Sequence, residues 1–433
     1  MEKKGKGIKL TPGRMIALGF AGLILLGALL LLLPVSTCKG IKLSFLEALF
    51  TSTSAVCVTG LIVVDTGTTF TVFGRIVLML LIQTGGLGIA VIGIAITLVL
   101  GRGFSFKDRS LIKESWNLDS YGGLKRIFKT VLIMTFCIEL AGAAATFPIL
   151  LRSLPPLKAA GYSLFHSVSA FNNAGFDLFG NYQSLTAYSD DIAMNLVTAA
   201  LIIVAGIGYL VLMEIFSGKK PKKYTLQTKA VLIMTAILLA GGTVLLKITD
   251  HYTWLASFFQ SVTARTAGFN TVDLGTMSNA GMFVMILLMI VGASPGSTGG
   301  GTKTTTLFAL LVAARAAATG GQAEAFKRKL PDSVIRRAFI VMLMSLLTLF
   351  TSTFLMCLFE PEYSFVAILF EVASAVNTVG VTTGITSEFG TAARIVLIMS
   401  MYIGRLGPLT VASIWVNKPD RAFSYSEESI TVG

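Results

Sequence analysis

Four short segments with one shared pattern recur along the chain, and they constrain its fold more than any other feature. They read SAVCVTG (residues 54–60), SAFNNAG (169–175), VTARTAG (262–268) and SAVNTVG (374–380). Each follows a mostly apolar stretch of about a dozen residues, which as a helix rising about 1.5 Å per residue is too short to cross a hydrocarbon core of about 30 Å. The pattern therefore predicts four short helices that enter a membrane only part of the way and end at a glycine turn.

A longer apolar run stands on each side of every short helix. The chain of 433 residues is 54% hydrophobic and only 13% charged, with a mean hydropathy of +0.78, which is far too apolar for a soluble domain. We expect an all-α integral membrane protein with eight spans, built from four pseudo-symmetric repeats of transmembrane helix, re-entrant pore helix with filter loop, and transmembrane helix. The eight runs are residues 15–33, 72–100, 127–151, 192–216, 230–247, 280–314, 334–358 and 391–415. The expected repeats cover 1–101, 102–218, 219–316 (with a broken second helix) and 317–416, followed by a cytoplasmic tail over 417–433.

The charged residues indicate the orientation of the repeats. Lysines and arginines cluster before the first repeat, between successive repeats and after the last, at residues 3–9, 102–126, 219–229, 327–337 and 418–421. The positive-inside rule puts all these connections in the cytoplasm, which requires an even number of crossings per repeat and two cytoplasmic termini. The same distribution explains the net charge of +13 without a nucleic acid partner. Acids follow the glycines instead, either as an outer vestibule that concentrates cations or as ordinary solvated loop residues: Asp65, Asp177, Asp190, Asp191, Asp273 and Glu388.

The glycine segments have the chemistry of an ion filter. Four short helices that dip from outside bring the negative ends of their dipoles to one axis, where the backbone after them can aim carbonyl oxygens at a potassium ion. The side chains before the glycines differ between segments, so the shared ligand is the main chain. The predicted potassium ligands are Val58, Thr59, Gly60, Asn173, Ala174, Gly175, Thr266, Ala267, Gly268, Thr378, Val379 and Gly380. Asn172, Arg265 and Asn377 are expected to form hydrogen bonds behind the filter.

A second glycine-rich stretch, GASPGSTGGGTKTTT at residues 292–306, interrupts the sixth apolar run. It resembles a phosphate-binding loop, but Thr302 stands between Gly301 and Lys303, where that motif needs the lysine directly after its last glycine. We predict a helix break inside the membrane, lining the pore below the filter, at the same depth as Arg405. The predicted gate comprises Gly292, Pro295, Gly296, Ser297, Thr298, Gly299, Gly300, Gly301, Lys303 and Arg405. Two alternatives stay open: Arg405 is an internally paired residue without a gating role, and Lys303 pairs near the cytoplasmic mouth rather than pinning the loop.

These motifs resemble the Trk/Ktr/HKT superfamily of potassium transport proteins over essentially the whole chain. SAFNNAGF, TARTAGFNT and SAVNTVGVTTG look like its second, third and fourth filter segments, and GSTGGGTKT like its third-repeat loop. Gly60 in the first segment is similar to the potassium-selective members, and the eight spans are similar to the bacterial Ktr membrane subunit. The resemblance implies a multi-pass protein of the bacterial cell membrane, working as a homodimer on a cytosolic ring of RCK/KTN-type regulatory subunits that bind nucleotides. It also implies potassium as the transported ion, with sodium as an activating ion and no cofactor in this chain.

The expected function is potassium uptake by a chain that is not an enzyme, passive or stimulated by sodium, and gated under control of the cytosolic partner. The alternative is a secondary solute or cation symporter with a substrate site at the bilayer midplane, which predicts inverted repeats and buried carboxylates such as Glu139 and Glu214. An ATP-driven enzyme is disfavoured, because the lysine of the glycine-rich stretch is displaced and an acidic metal ligand is missing. The four cysteines and two histidines show neither a disulfide framework nor a metal-binding spacing.

Overall fold

The structure, a computed structural model, describes residues 12–88, 124–407 and 410–411. Helices account for most of these residues. In chain order they are α1 (Pro12–Leu31), α2 (Phe45–Cys57), α3 (Thr66–Thr69), α4 (Val72–Leu87), α5 (Leu124–Leu150), α6 (Pro156–Phe171), α7 (Ile192–Ile207), α8 (Tyr209–Phe216), α9 (Leu226–Asp250), α10 (Trp254–Thr263), α11 (Asn279–Ile290), α12 (Thr304–Thr319), α13 (Asp332–Phe359), α14 (Phe365–Val376) and α15 (Thr391–Leu406). A two-residue hairpin, Glu324–Ala325 with Arg328–Lys329, follows α12.

The first helix of each repeat is a single long helix. These helices, α1, α5, α9 and α13, are 20 to 28 residues long and are apolar enough to cross a membrane. They expose large apolar side chains on their outer surfaces, among them Leu25, Phe136 and Phe354. Such side chains are stable at a surface only when hydrocarbon replaces water, so this face is the lipid-facing surface of an integral membrane protein.

The second helix of every repeat ends before its apolar run does. The predicted break in the third repeat is confirmed, with residues 291–303 between α11 and α12. The runs at 72–100, 192–216 and 391–415 are predicted to be continuous, but their helices end at Gly88, Gly208 and Gly407, respectively. These glycines adopt φ angles of 87°, 94° and 83°, which a right-handed helix does not accommodate. At Gly208 the axes of α7 and α8 differ by 98°. Residues 89–100 and 412–415 of these runs lie outside the described residues.

Because of these breaks, fewer than eight helices are long enough to count as membrane spans among the described residues. Among the described residues four helices pass as spans by length and composition, and the bent pair α7 and α8 adds a fifth. The second segments of the other repeats form shorter helices, the apolar α4, α11 and α12 and the 16-residue α15, so the eight-span expectation is not confirmed as a count. The expected boundary between the third and fourth repeats, at residue 316, falls inside α12, and the boundary at residue 101 lies outside the described residues. The division of the chain into these four repeats remains a prediction.

Four short helices precede the filter segments, as the sequence predicts. Helices α2, α6, α10 and α14 contain 13, 16, 10 and 12 residues. At about 1.5 Å per residue they extend only about 15 to 24 Å. Hydroxyl side chains of Ser44, Thr253 and Ser364 cap the outer ends of three of them, and Ser44 forms a reciprocal capping box with Glu47.

The four repeats close into a ring through these pore helices. Each pore helix packs against the second helix of the preceding repeat: α6 on α4, α10 on α7, α14 on α11, and α2 on α15. The last contact joins the fourth repeat to the first. The pore helices and filter segments therefore form the buried centre of the molecule, surrounded by the long helices.

Candidate functional site

The four filter glycines form a closed ring with main-chain carbonyl groups. Each adopts a positive φ, from 70° at Gly175 to 97° at Gly60. A Cβ placed on Gly60 would lie 2.5 Å from the carbonyl oxygen of Ala174, one on Gly175 2.5 Å from that of Ala267, and one on Gly268 2.7 Å from that of Val379. A Cβ on Gly380 would overlap the carbonyl oxygen of Thr59, which returns the sequence of contacts to the first repeat. Only glycine permits this approach, and it sets four carbonyl groups around one centre.

Three filter segments share one backbone conformation at the end of their pore helix. Val58, Asn173 and Thr378 occupy the left-handed region, with φ between 50° and 58°. This conformation costs of order 1–3 kcal/mol for a residue other than glycine. In each of the three, the amide of the next residue donates a hydrogen bond of 2.8 Å to the carbonyl oxygen five residues earlier: Thr59 to Ser54, Ala174 to Ser169, and Val379 to Ser374. Such strain persists where the surrounding structure fixes the backbone, which is what an ion filter requires.

A serine hydroxyl also fixes the glycine in two of these segments. The amide of Gly60 donates a hydrogen bond of 3.0 Å to the hydroxyl oxygen of Ser54, and the amide of Gly380 donates one of 3.0 Å to that of Ser374. The third segment departs from this plan, since Val262 stands in the serine position. There the amide of Ala267 donates 3.0 Å to Thr263, four residues earlier, in the manner of a continuing helix.

The residues expected behind the filter form hydrogen bonds there. The Asn172 amide group donates to Glu139 Oε1 at 3.0 Å and to Gln83 Oε1 at 2.8 Å, which gives the buried carboxylate of Glu139 a partner beside the second segment. Asn377 donates to the carbonyl oxygen of Ala373 at 3.0 Å. The Arg265 guanidinium group lies 3.4 Å from the carbonyl oxygen of Gly292, where the intramembrane loop begins.

Sequence reasoning missed a further buried carboxylate, Glu371 of α14. Its side chain is 0% exposed and accepts hydrogen bonds from the hydroxyl groups of Thr382, Thr383 and Thr386 and from the amide of Thr383, at 2.5 to 2.9 Å. It therefore holds the chain that leads outward from the fourth filter segment. A signal was present, since Glu371 is the one acid in the apolar helix FVAILFEVASAV.

The intramembrane loop, residues 291–303, packs directly against three filter segments. A Cβ on Gly299 would overlap the Thr266 hydroxyl, and one on Gly300 would overlap that of Thr378. Thr298 accepts a hydrogen bond of 2.8 Å from the Asn173 amide group. The glycines that suggested phosphate binding thus let the loop backbone reach the filter. Their role here is close approach rather than helix breaking alone.

Two cationic side chains hold the loop. Lys303 Nζ donates to the carbonyl oxygens of Gly299 at 2.7 Å and Gly300 at 3.1 Å, so its hydrogen bonds lie within the loop itself. Arg405 donates to the carbonyl oxygens of Thr298 in the loop and of Gly85 in α4. Arg405 is therefore internally bonded, and one of its partners is the loop itself.

The bend in the second repeat belongs to the same assembly. The amide of Tyr209 donates to the carbonyl oxygen of Gly296 at 2.9 Å, and the amide of Ser294 donates to that of Gly206 at 2.9 Å. A Cβ on Gly208 would lie 2.7 Å from the carbonyl oxygen of Pro295. Sequence reasoning missed this glycine because the apolar run continues through it without a proline or a polar cluster.

The acids after the filter glycines have local partners. Asp65 accepts from the amides of Thr68 and Tyr182 at 2.8 Å each, and Asp191 and Asp273 cap the helical turns that follow them. Asp177, in the outer loop after the second segment, accepts from the amide of Phe179 at 2.9 Å. Burial raises the pKa of Asp177 to about 6, and the nearby carboxylate of Asp65 acts in the same direction. Structural roles are thus present in these loops, and the outer vestibule that concentrates cations stays a prediction.

Comparison with known proteins gives consistent matches. The family model TrkH, described as cation transport protein, matches residues 26–232 and 223–425. The chain is 37% identical to the Ktr system potassium uptake protein B of Bacillus subtilis, over 100% of this chain and 99% of that protein. It is 38% identical to the potassium/sodium uptake protein NtpJ of Enterococcus hirae, with the same coverage. The crystal structure of the potassium transporter TrkH from Vibrio parahaemolyticus has the same fold, with a TM-score of 0.75, 21% identity, and coverage of 96% of this chain and 87% of that one.

Proposed function

The chain belongs to the TrkH family of cation transport proteins, and from that membership we propose that it carries potassium ions through the membrane along the axis of its four repeats. The observation that carries the proposal is the closed ring of filter glycines and carbonyl groups. Carbonyl oxygens around a central ion replace the water that the ion loses on leaving solution. Full-length relatives named as potassium uptake proteins support potassium as the ion.

The ligands in this proposal are main-chain oxygens of the twelve filter residues. The residues that directly precede the glycines are Thr59, Ala174, Ala267 and Val379, whose side chains share no ligating group. Their carbonyl groups are what the four segments have in common. Hydrogen bonds that the filter amides donate to Ser54, Ser374 and the carbonyl oxygens of the helix ends hold this backbone in a strained conformation, which supports a site of fixed size.

The intramembrane loop is the proposed gate. It lies against the filter segments and is held there by Arg405 and Lys303, two cations without an acidic partner among the ion pairs of the described residues. Their positive charge opposes a passing potassium ion, since two unit charges 4 Å apart repel by about 4 kcal/mol at an effective dielectric constant of 20. Opening then requires the loop to leave its hydrogen bonds.

Control of this gate is proposed to come from outside the chain. Three relatives bear the name of a Ktr system, potassium uptake proteins B and D of Bacillus subtilis and protein B of Vibrio alginolyticus, which supports a multi-component assembly. The proposed arrangement is a homodimer in the bacterial cell membrane, with both termini in the cytoplasm, on a ring of nucleotide-binding regulatory subunits. Sodium is proposed as an activating ion, supported by the relative named as a potassium/sodium uptake protein.

Ion flux in proteoliposomes tests the function. Without nucleotide, the purified chain should dissipate a potassium gradient faster than a sodium gradient of the same size. Liposomes that contain the same amount of denatured protein are the control and should show no flux. Potassium accumulation that occurs only while a sodium or proton gradient is supplied would instead support the symporter alternative. Flux of neither ion in correctly folded wild-type protein and in the gate variant Arg405→Ala would overturn the proposed function.

A further inference from the structure

The third filter segment is anchored differently from the others. In the first and fourth segments, the hydroxyl oxygens of Ser54 and Ser374 accept a hydrogen bond from the amide of the filter glycine. The third segment has Val262 at this position, whose side chain cannot accept a hydrogen bond. Thr266 also lacks the left-handed conformation found at Val58 and its two equivalents. The third segment therefore lacks both devices that fix the backbone in the first and fourth.

Arg265 supplies another anchor at this position. Its side chain is only 6% exposed, and its guanidinium group reaches the carbonyl oxygen of Gly292 at 3.4 Å. The amide of Gly292 in turn donates 2.9 Å to the carbonyl oxygen of Thr302, which joins the two ends of the intramembrane loop. Arg265 thus links the segment to the point where the loop closes on itself.

The packing behind the third segment is incomplete. A small cavity lies there, lined by Ile202, Ile203, Gly206, Leu239 and Val262 beside Arg265 and Thr266. The Nε atom of Arg265 and both side-chain polar atoms of Gln260, in the pore helix of the same repeat, have no hydrogen-bond partner among the described residues. Buried polar atoms without partners are costly, so these atoms contribute nothing to the anchoring of the segment.

We propose that Arg265 is a positioning residue for ion selectivity, which fastens the third filter segment to the base of the intramembrane loop in place of the missing serine. The proposal rests on the potassium-transport function above. A displacement of the loop is then transmitted to this segment, through Arg265 at Gly292 and through Thr266 at Gly299. The loop therefore affects which ion passes as well as how many pass.

The test compares potassium-to-sodium flux ratios in proteoliposomes for Arg265→Gln, Arg265→Lys and the double variant Val262→Ser with Arg265→Gln. Arg265→Gln should lower the ratio about tenfold, because a charge-assisted hydrogen bond is lost. Val262→Ser should restore most of the ratio in the double variant, since the new hydroxyl can accept the Gly268 amide as Ser54 and Ser374 accept theirs. Arg265→Lys, which keeps the charge and one donor, should give an intermediate ratio. Arg152→Gln, an exposed arginine outside the pore region, is the matched control.

A second arm tests the link to the loop. Gly299→Ala pushes the loop away from Thr266 and should lower the flux ratio in the wild-type background, but less in Val262→Ser, where the segment has its own anchor. An unchanged ratio in Arg265→Gln or Arg265→Lys, or no recovery by Val262→Ser, would overturn the proposal. If Arg265→Gln does not fold, the Arg265→Lys and Gly299→Ala ratios decide by themselves. Absence of wild-type potassium flux would be a failure of the proposed function, whereas a conducting wild type with insensitive variants is a failure of this inference alone.

Discussion

Arg405 of the last helix donates a hydrogen bond to the carbonyl oxygen of Thr298 in the intramembrane loop, although the two residues are separated by 107 positions. The same guanidinium group also donates to the carbonyl oxygen of Gly85 at the end of α4. One side chain therefore joins the first, third and fourth repeats directly below the filter. Loop displacement requires these bonds to break.

Arg405→Ala should open the proposed gate. Removing the guanidinium group releases Thr298 and takes away a positive charge from the ion path, so potassium flux without any partner should rise severalfold. Because bonds from charged donors contribute about 1.5–3 kcal/mol each, thermal stability should fall as well. Flux and unfolding temperature are measured on the same preparation. Arg394→Gln is the control, since Arg394 lies on the same helix but bonds to Phe389 and Ser387 and pairs with Glu47 near the N-terminal end of that helix, away from the loop. Equal flux in Arg405→Ala and wild type would contradict the gating role.

Gly380→Ala should disrupt the filter ring more than any other single methyl group. Its Cβ would overlap the carbonyl oxygen of Thr59, and its φ of 91° is unfavourable for alanine. We expect loss of most potassium-to-sodium discrimination and a stability loss of about 1–3 kcal/mol. Gly161→Ala, in pore helix α6 with no atom near the added methyl group, should leave both unchanged. A selective Gly380→Ala protein would exclude a carbonyl ring at this position.

The sequence predicts the repeating features well because four copies reinforce a weak local signal. The short pore helices and the filter glycines follow from segments that can be aligned with one another, whereas the break after Ile290 follows from the composition of a single glycine-rich stretch. The breaks at Gly88, Gly208 and Gly407 could not be predicted in this way, because single glycines in apolar runs are common in packed helices. Their conformation depends on distant contacts, such as that of Tyr209 with Gly296. The role of Glu371 also depends on such contacts, since its threonine partners lie beyond the fourth filter segment.

Glu371→Gln should weaken the fourth filter segment without removing its shape. Glutamine keeps one acceptor oxygen but replaces the other with a donor, so the hydroxyl group of Thr386 loses a charged acceptor at 2.5 Å. The free energy of unfolding should fall by about 1–3 kcal/mol, and the potassium-to-sodium flux ratio should fall with it. Denaturation and flux assays measure the two effects. Glu362→Gln, an exposed acid just before the same helix, should change neither. A stability loss with an unchanged flux ratio would restrict Glu371 to a purely structural role.

Asp177 should make potassium flux depend on external pH. A carboxyl group whose pKa is raised to about 6 is charged above that pH and neutral below it, so acidification removes a negative charge from the outer side of the filter. Cations are then concentrated less strongly, and flux at low potassium concentration should fall roughly twofold between about pH 7.5 and pH 5, with less effect when potassium saturates. Asp177→Asn should show the lower flux at both pH values and lose the pH step. Asp190→Asn, an exposed acid of the following loop, should keep it. Because the effect acts through local ion concentration, it should also weaken at high ionic strength, and a pH step that persists in Asp177→Asn would assign it to another group.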